Sequence, residues 1–216
     1  MASDVDICNI ALSYLGDTAT VSSLNPPEGS AQSQHCARFY PFARDSLLEM
    51  HSWGFATKRV KLALLSTADA EWTYAYAQPN DAVNIIAVID PTAIDDYSQS
   101  SINSAIAPGG SYVPQPFSCE IDATGAQIIL TNQALAELRY TALVTDSASF
   151  SPLFNITLAW FLASMLAGPL IKGAEGAAES KRCMGMMKEI LSNAIESDAS
   201  QRRIDINQKV SWISKR

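Results

Sequence analysis

Leu153–Ile171 reads LFNITLAWFLASMLAGPLI, a run without a formal charge whose interpretation decides the fold. Its length is close to what crosses a bilayer. Asn155, Thr157 and Ser164 interrupt it, however, and Gly168-Pro169 breaks it near its end. Asp146 stands on the N-terminal side, where an oriented span would carry basic residues. The better reading is a helix buried in a protein core or a subunit interface. Ser151 supplies its N-cap and Pro152 takes the first helical position, where a missing N–H leaves no bond unmade.

The flanking segments read as helices on both sides of a β-rich middle. Asp4 to Leu15 has Ser3 or Asp4 as cap, Val5, Cys8, Ala11, Leu12 and Leu15 on one stripe, and Gly16 as its stop. A second helix is expected from Ser30 to His51, with Cys36, Phe39, Tyr40, Ala43, Leu47 and Met50 inward and Pro41 inside. Trp53-Gly54 ends it and begins something extended. A last helix covers Ala174 to Ala199, with Cys183, Met187, Ile190, Leu191, Ala194 and Ile195 inward. Between these, Trp72–Tyr76, Ala82–Asp90, Phe117–Asp122, Gln127–Thr131 and Ala136–Val144 carry strand composition, punctuated by Gln78-Pro79-Asn80-Asp81 and Ala123-Thr124-Gly125. Residues 91–116 form a long loop rich in proline and serine. Past Gln201 the period changes from helix to strand, with Ile204, Ile206, Val210 and Trp212 on one parity.

Composition narrows the classes. With 216 residues, 48% apolar and only 17% charged, the chain has room for one core with an inserted lobe and is not disordered. A net charge of −7 argues against a surface that coats nucleic acid. Its distribution is uneven. From Leu62 to Leu138 there are nine acids and no lysine or arginine, whereas from Gln201 onward Arg202, Arg203, Lys209, Lys215 and Arg216 face Asp205 alone. An acidic lobe and a basic tail on one chain suit head-to-tail packing of copies; two solvated faces would read the same way. The start, MASDVDICNIALSYL, has no basic n-region or small-residue cleavage site, so free and mostly buried thiols in a reducing compartment are expected.

No constellation carries catalysis. GxSxG, CxxC and HExxH are all missing from the sequence, and Gly109-Gly110 is not followed by a helix start. His35 and His51 fall on one predicted helix about 24 Å apart and cannot share a site within one chain. Glu120 and Asp122 would share a strand face, but nothing around them suggests a raised pKa. The C-terminal segment is the exception to this blandness. Trp212, flanked by bases near the end of the chain, calls for a docking surface on its own domain or on a partner, and strand addition to a sheet edge is one route.

The run CARFYPFARDSLLEMHSWGFATKRVKLA (Cys36–Ala63), following a short ICNIALSYLG helix, resembles the head-to-tail adaptor family of short-tailed phages, the tail tubular protein A-like proteins. Tyr76 and Pro79 with the VNIIAVID strand, Ile129–Asp146 and Phe150–Leu170 are similar to three further segments of that family, in the same order. The resemblance implies an α+β fold: an antiparallel helical bundle core, an inserted small antiparallel β lobe and an extended C-terminal arm. On this division residues 1–65 are the N-terminal core helices, 66–146 the lobe with its long loop 91–116, 147–200 the C-terminal core helices and 201–216 the basic arm. It also implies a structural virion protein rather than an enzyme. Copies form a ring, typically of about twelve, between the portal protein and the tail nozzle protein. Double-stranded DNA passes through the lumen without sequence-specific binding. Assembly in the host cytoplasm, location at the head–tail junction and no membrane contact go with this reading, and no cofactor, metal or catalytic residue is expected. Arg203, Ile204, Ile206, Val210, Trp212 and Ile213 become the candidate contacts with the portal or a neighbouring subunit. A head- or tail-completion protein of a long-tailed phage would read similarly. A small cytoplasmic enzyme with an intersubunit site, built around His35, is the alternative from another class.

Overall fold

Ser3 opens the first helix through a reciprocal cap: its Oγ accepts the Asp6 N–H at 3.1 Å, while Asp6 Oδ2 accepts the Ser3 N–H at 2.9 Å. A computed structural model describes residues 2–65, 71–91 and 115–201. In chain order it contains α1 (Asp4–Tyr14), α2 (Ala31–Met50), a 3-10 turn at Gly54–Ala56, β1 (Thr57–Lys61), β2 (Tyr74–Ala77), β3 (Ala82–Ile89), β4 (Phe117–Ile121), β5 (Gln127–Thr131), β6 (Glu137–Ala142), α3 (Pro152–Ile171) and α4 (Gly173–Ser200). The fold is α+β, with four helices and two small antiparallel sheets among the described residues.

The described residues divide into two compact units, a helical one up to Thr57 and from Thr141 to Gln201, and a β lobe over Lys58–Tyr140. In the helical unit α3 packs against α1, α2 and α4. Phe154, Leu158, Leu162 and Leu166 of α3 are shut from solvent, as expected of a helix that is apolar nearly all round. Its hydroxyls are satisfied locally. Thr157 Oγ1 donates to the Leu153 carbonyl at 2.7 Å and Ser164 Oγ to that of Phe161 at 2.6 Å. α3 is long and apolar enough to cross a membrane, but 61% of its apolar window is buried within the protein.

Lys172 alone links α3 to α4, at φ +63°. The hairpin closes tightly enough that a Cβ on Gly176 would meet the Ala167 carbonyl oxygen at 3.0 Å. Ser180 Oγ donates to the Ser164 carbonyl at 2.6 Å further along the same seam.

The lobe holds two three-stranded sheets, ordered β1-β6-β3 and β2-β5-β4. In the second, Tyr74 pairs with Thr131 and Ala77 with Ile128, while Phe117 also faces Thr131 from the other side and Ile121 faces Gln127. The chain passes between the sheets at the β2–β3 and β5–β6 turns. Tyr76, buried, ties the second of these turns. Its hydroxyl donates to the Gln133 carbonyl at 2.9 Å and accepts from the Ala136 N–H at 3.4 Å.

Several expectations need correction. Met50 is exposed at 48% because α2 ends there and no further turn covers it; Leu48 is buried instead. On α1, Ile7 joins the core while Val5 and Leu15 stay half-buried. Ile190, Leu191 and Ile195 of α4 are likewise half-buried. β1 was not distinguished as a strand, since Thr-Lys-Arg-Val-Lys is almost wholly exposed and shows no apolar alternation. Glu120 lies in β4, which ends at Ile121; Asp122, of the same parity, follows the strand and opens the hairpin.

Candidate interaction site

Arg203, Ile204, Ile206, Val210, Trp212 and Ile213, the residues singled out for partner binding, lie outside the described residues, as does most of loop 91–116. What can be built is the ground from which the C-terminal segment departs and the surfaces offered by each unit.

That ground is the end of α4. Asp198 reaches back to the turn after α2, where its two carboxylate oxygens accept the Gly54 N–H at 3.1 and 3.0 Å. His51 Nε2 lies 3.3 Å from Asp198 Oδ2. A carboxylate in the last turn of a helix opposes the helix dipole, so a buried, donor-rich setting is needed to hold it there. The Asp198 side chain is only 12% exposed. Gly54 fits closely: a Cβ there would stand 3.2 Å from Asp198 Oδ1. The turn itself is set by Trp53. Its Nε1–H donates to the Leu47 carbonyl at 2.8 Å, and its ring stands edge-on to His51 (4.9 Å) and Phe154 (5.0 Å). Phe55 and Phe150 complete the aromatic cluster around Phe154. His51 therefore serves as a helix-end residue in a structural joint. Sequence reasoning placed it at a helix terminus but missed Asp198, whose partners lie more than a hundred residues away.

His35 is enclosed rather than presented. Its Nδ1 is buried without a hydrogen-bond partner and its ring lies near Phe39. Cys8 and Cys36 are buried and meet between α1 and α2; the hydrogen bond to Cys36, and then burial, hold the Cys8 thiol far above the usual range. Cys183 is also buried, and Cys119 on β4 is the exposed thiol.

In the lobe, Asp81 joins two strands of one sheet. Lys58 Nζ donates to its Oδ2 at 2.8 Å and Tyr140 Oη to its Oδ1 at 2.9 Å. The lysine, first, and the phenol hold the Asp81 carboxyl below its ordinary value. Burial, and then the carboxylate, push Tyr140 up to about 12. At the β4–β5 hairpin Asp122 Oδ1 accepts from the Thr124 hydroxyl (2.6 Å) and from the Thr124 and Ala126 N–H groups (2.8 and 2.9 Å). These bonds, the Thr124 hydroxyl foremost, lower its pKa; the carboxylate shapes the turn.

Exposed apolar side chains are present on both units: Phe42 (66%) on α2, Ile121 (69%) on β4 and Leu135 (78%) in the β5–β6 turn. Among the described residues no group of three or more His, Cys, Asp and Glu side chains could hold a metal ion. No protein-family model matches this chain, and no curated protein matches it.

Proposed function

We propose that this chain is a head-to-tail adaptor of a short-tailed phage, a ring-forming structural protein of the virion that joins portal to tail nozzle and forms part of the DNA conduit. One observation supports the reading above the others. Each of the four segments that resemble the adaptor family contributes a buried aromatic side chain: Trp53 after α2, Tyr76 in β2, Tyr140 in β6 and Phe154 in α3. Buried aromatic side chains are the ones a shared architecture would demand.

The charge pattern agrees. An acidic chain does not retain a passing polyanion, whereas a basic lumen would bind its phosphates. Five of the 15 basic residues fall in the short C-terminal segment from Gln201 onward, where a contact with portal or a neighbour would use them.

The test is quantitative mass spectrometry of purified virions, counting this chain against the major capsid protein. The expected result is about a dozen copies per particle, as a ring at a unique vertex requires. Absence from virions would return the reading to a cytoplasmic protein, and a count in the hundreds would make it a tube or shell component. Deleting residues 204–216 is expected to leave the helical signal of the purified chain intact and to abolish attachment to portal.

A further inference from the structure

The two sheets of the lobe treat their edges differently. β2 is covered by the chain itself: Leu65 N–H donates to the Ala75 carbonyl at 2.8 Å and Ala77 N–H to that of Ala63 at 2.9 Å. β3 is bridged near its end by Gln115, whose N–H donates to the Val88 carbonyl at 3.2 Å. β1 carries Lys58, Arg59 and Lys61, the kind of charge that guards an edge against another strand. β4 has no such guard. It is the terminal strand of its sheet among the described residues, and Cys119, Glu120 and Ile121 are exposed.

The phase of the ladder shows which groups face outward. Asp122 N–H donates to the Ala126 carbonyl at 2.9 Å, so this pair is hydrogen-bonded, and alternation makes Glu120 and Ser118 the next such residues. Phe117, Cys119 and Ile121 then turn their N–H and C=O groups away from β5. The neighbouring ladder has the matching phase, since Gln127 offers its carbonyl to Gln78 on the β2 side at 3.2 Å.

We propose that this open edge receives, as an added strand, the C-terminal segment Arg203–Ile213 of a second copy of the chain. Three features select that occupant. The lobe has no cation between Leu62 and Leu138, while the segment and its flanks carry five bases and one acid. Pairing β4 with another β4 would set Glu120 near its own copy, like charges that destabilise a cross-strand pair, and a basic strand has no such conflict. The period also fits. With Ile204, Ile206, Val210 and Trp212 on the face of Phe117 and Ile121, the other parity brings Arg203, Asp205 and Lys209, a set with net positive charge, to the face of Glu120. Assigning the donor to a neighbouring copy rests on the ring reading given above.

Cys119 provides the probe, because it lies on the open strand while Cys8, Cys36 and Cys183 are buried. Phage carrying Ile204→Cys, Ile206→Cys or Val210→Cys in the full-length chain are purified and treated with a short bismaleimide. A covalent ladder of this chain is expected for at least one position, with peptide mapping to Cys119, and it should vanish when Cys119→Ser is added. A linkage mapped within a single chain would overturn the proposal in favour of the segment's own lobe. So would intact virions with this chain at its normal copy number and no linkage to Cys119 from any position; the adaptor reading would survive both results. Absence of the unmodified chain from virions would instead sink the adaptor reading, and the neighbouring-copy donor with it.

Discussion

The helical unit and the β lobe are held together by different means. In the first, one apolar helix runs through the middle and nearly every turn of it is buried, so stability comes from area removed from water. In the second, much of the specificity lies in a few hydrogen bonds at the corners. Tyr76 ties the β5–β6 turn, Asp81 joins Lys58 and Tyr140, and Asn132 Oδ1 accepts from both the N–H and the hydroxyl of Thr73 at 2.9 Å. Burial is spread over many residues and tolerates conservative change, whereas a corner bond depends on one atom.

The contrast can be broken most decisively at Trp53. Trp53→Ala removes a fully buried indole and the bond to Leu47, and should cost about 3–5 kcal/mol in urea unfolding followed by helical circular dichroism. A loss no larger than that of a single corner bond would end the claim that burial dominates the helical unit. Tyr76→Phe keeps the ring and deletes the hydroxyl between Gln133 and Ala136, at an expected cost of about 1–2 kcal/mol. Hydrogen exchange should place that loss in the lobe and leave the amides of α3 unchanged. Asp198→Ala should cost about 1 kcal/mol, because water can reach the Gly54 N–H once the carboxylate is gone. The accompanying fraying should be confined to the end of α4.

Two smaller effects sharpen the picture of the lobe. Leu135 adopts φ +53° with its side chain exposed, so Leu135→Gly should be neutral or raise thermal stability by up to about 1 kcal/mol. Asp81 has its carboxyl depressed in the folded chain. Its contribution is therefore present above the unfolded carboxyl value and is lost as pH falls through the folded one. Asp81→Asn should flatten the acid limb of the stability curve and change little at neutral pH, since the pair is partly solvent-screened. An unchanged acid limb would remove Asp81 from the corner bonds.

Legibility followed the same division. Ser3 and Ser151 were readable as caps because a cap is a local event, and each accepts from the N–H three residues on. β5 came out at its observed limits, Gln127–Thr131, since turn residues bracket it. β1 did not, because a strand with nearly every side chain exposed leaves no apolar alternation to read. At the candidate site, the charge asymmetry and the strand period of the C-terminal segment were visible in the sequence. The β4 edge was not, because whether a strand is central or terminal depends on the order in which distant strands pair.

The sequence by itself determined the types and order of the four helices and of β2 to β6, and the central role of Leu153–Ile171, since periodicity, capping and turn chemistry act over a few residues. Only the tertiary structure decided that Asp198 would close the Gly54 turn, that Tyr76 would reach across to Gln133, and that, among the described residues, β4 rather than β2 would be left with an open edge. Each of these is a pairing between residues far apart in the chain, chosen by packing geometry, and no local pattern of side chains encodes it.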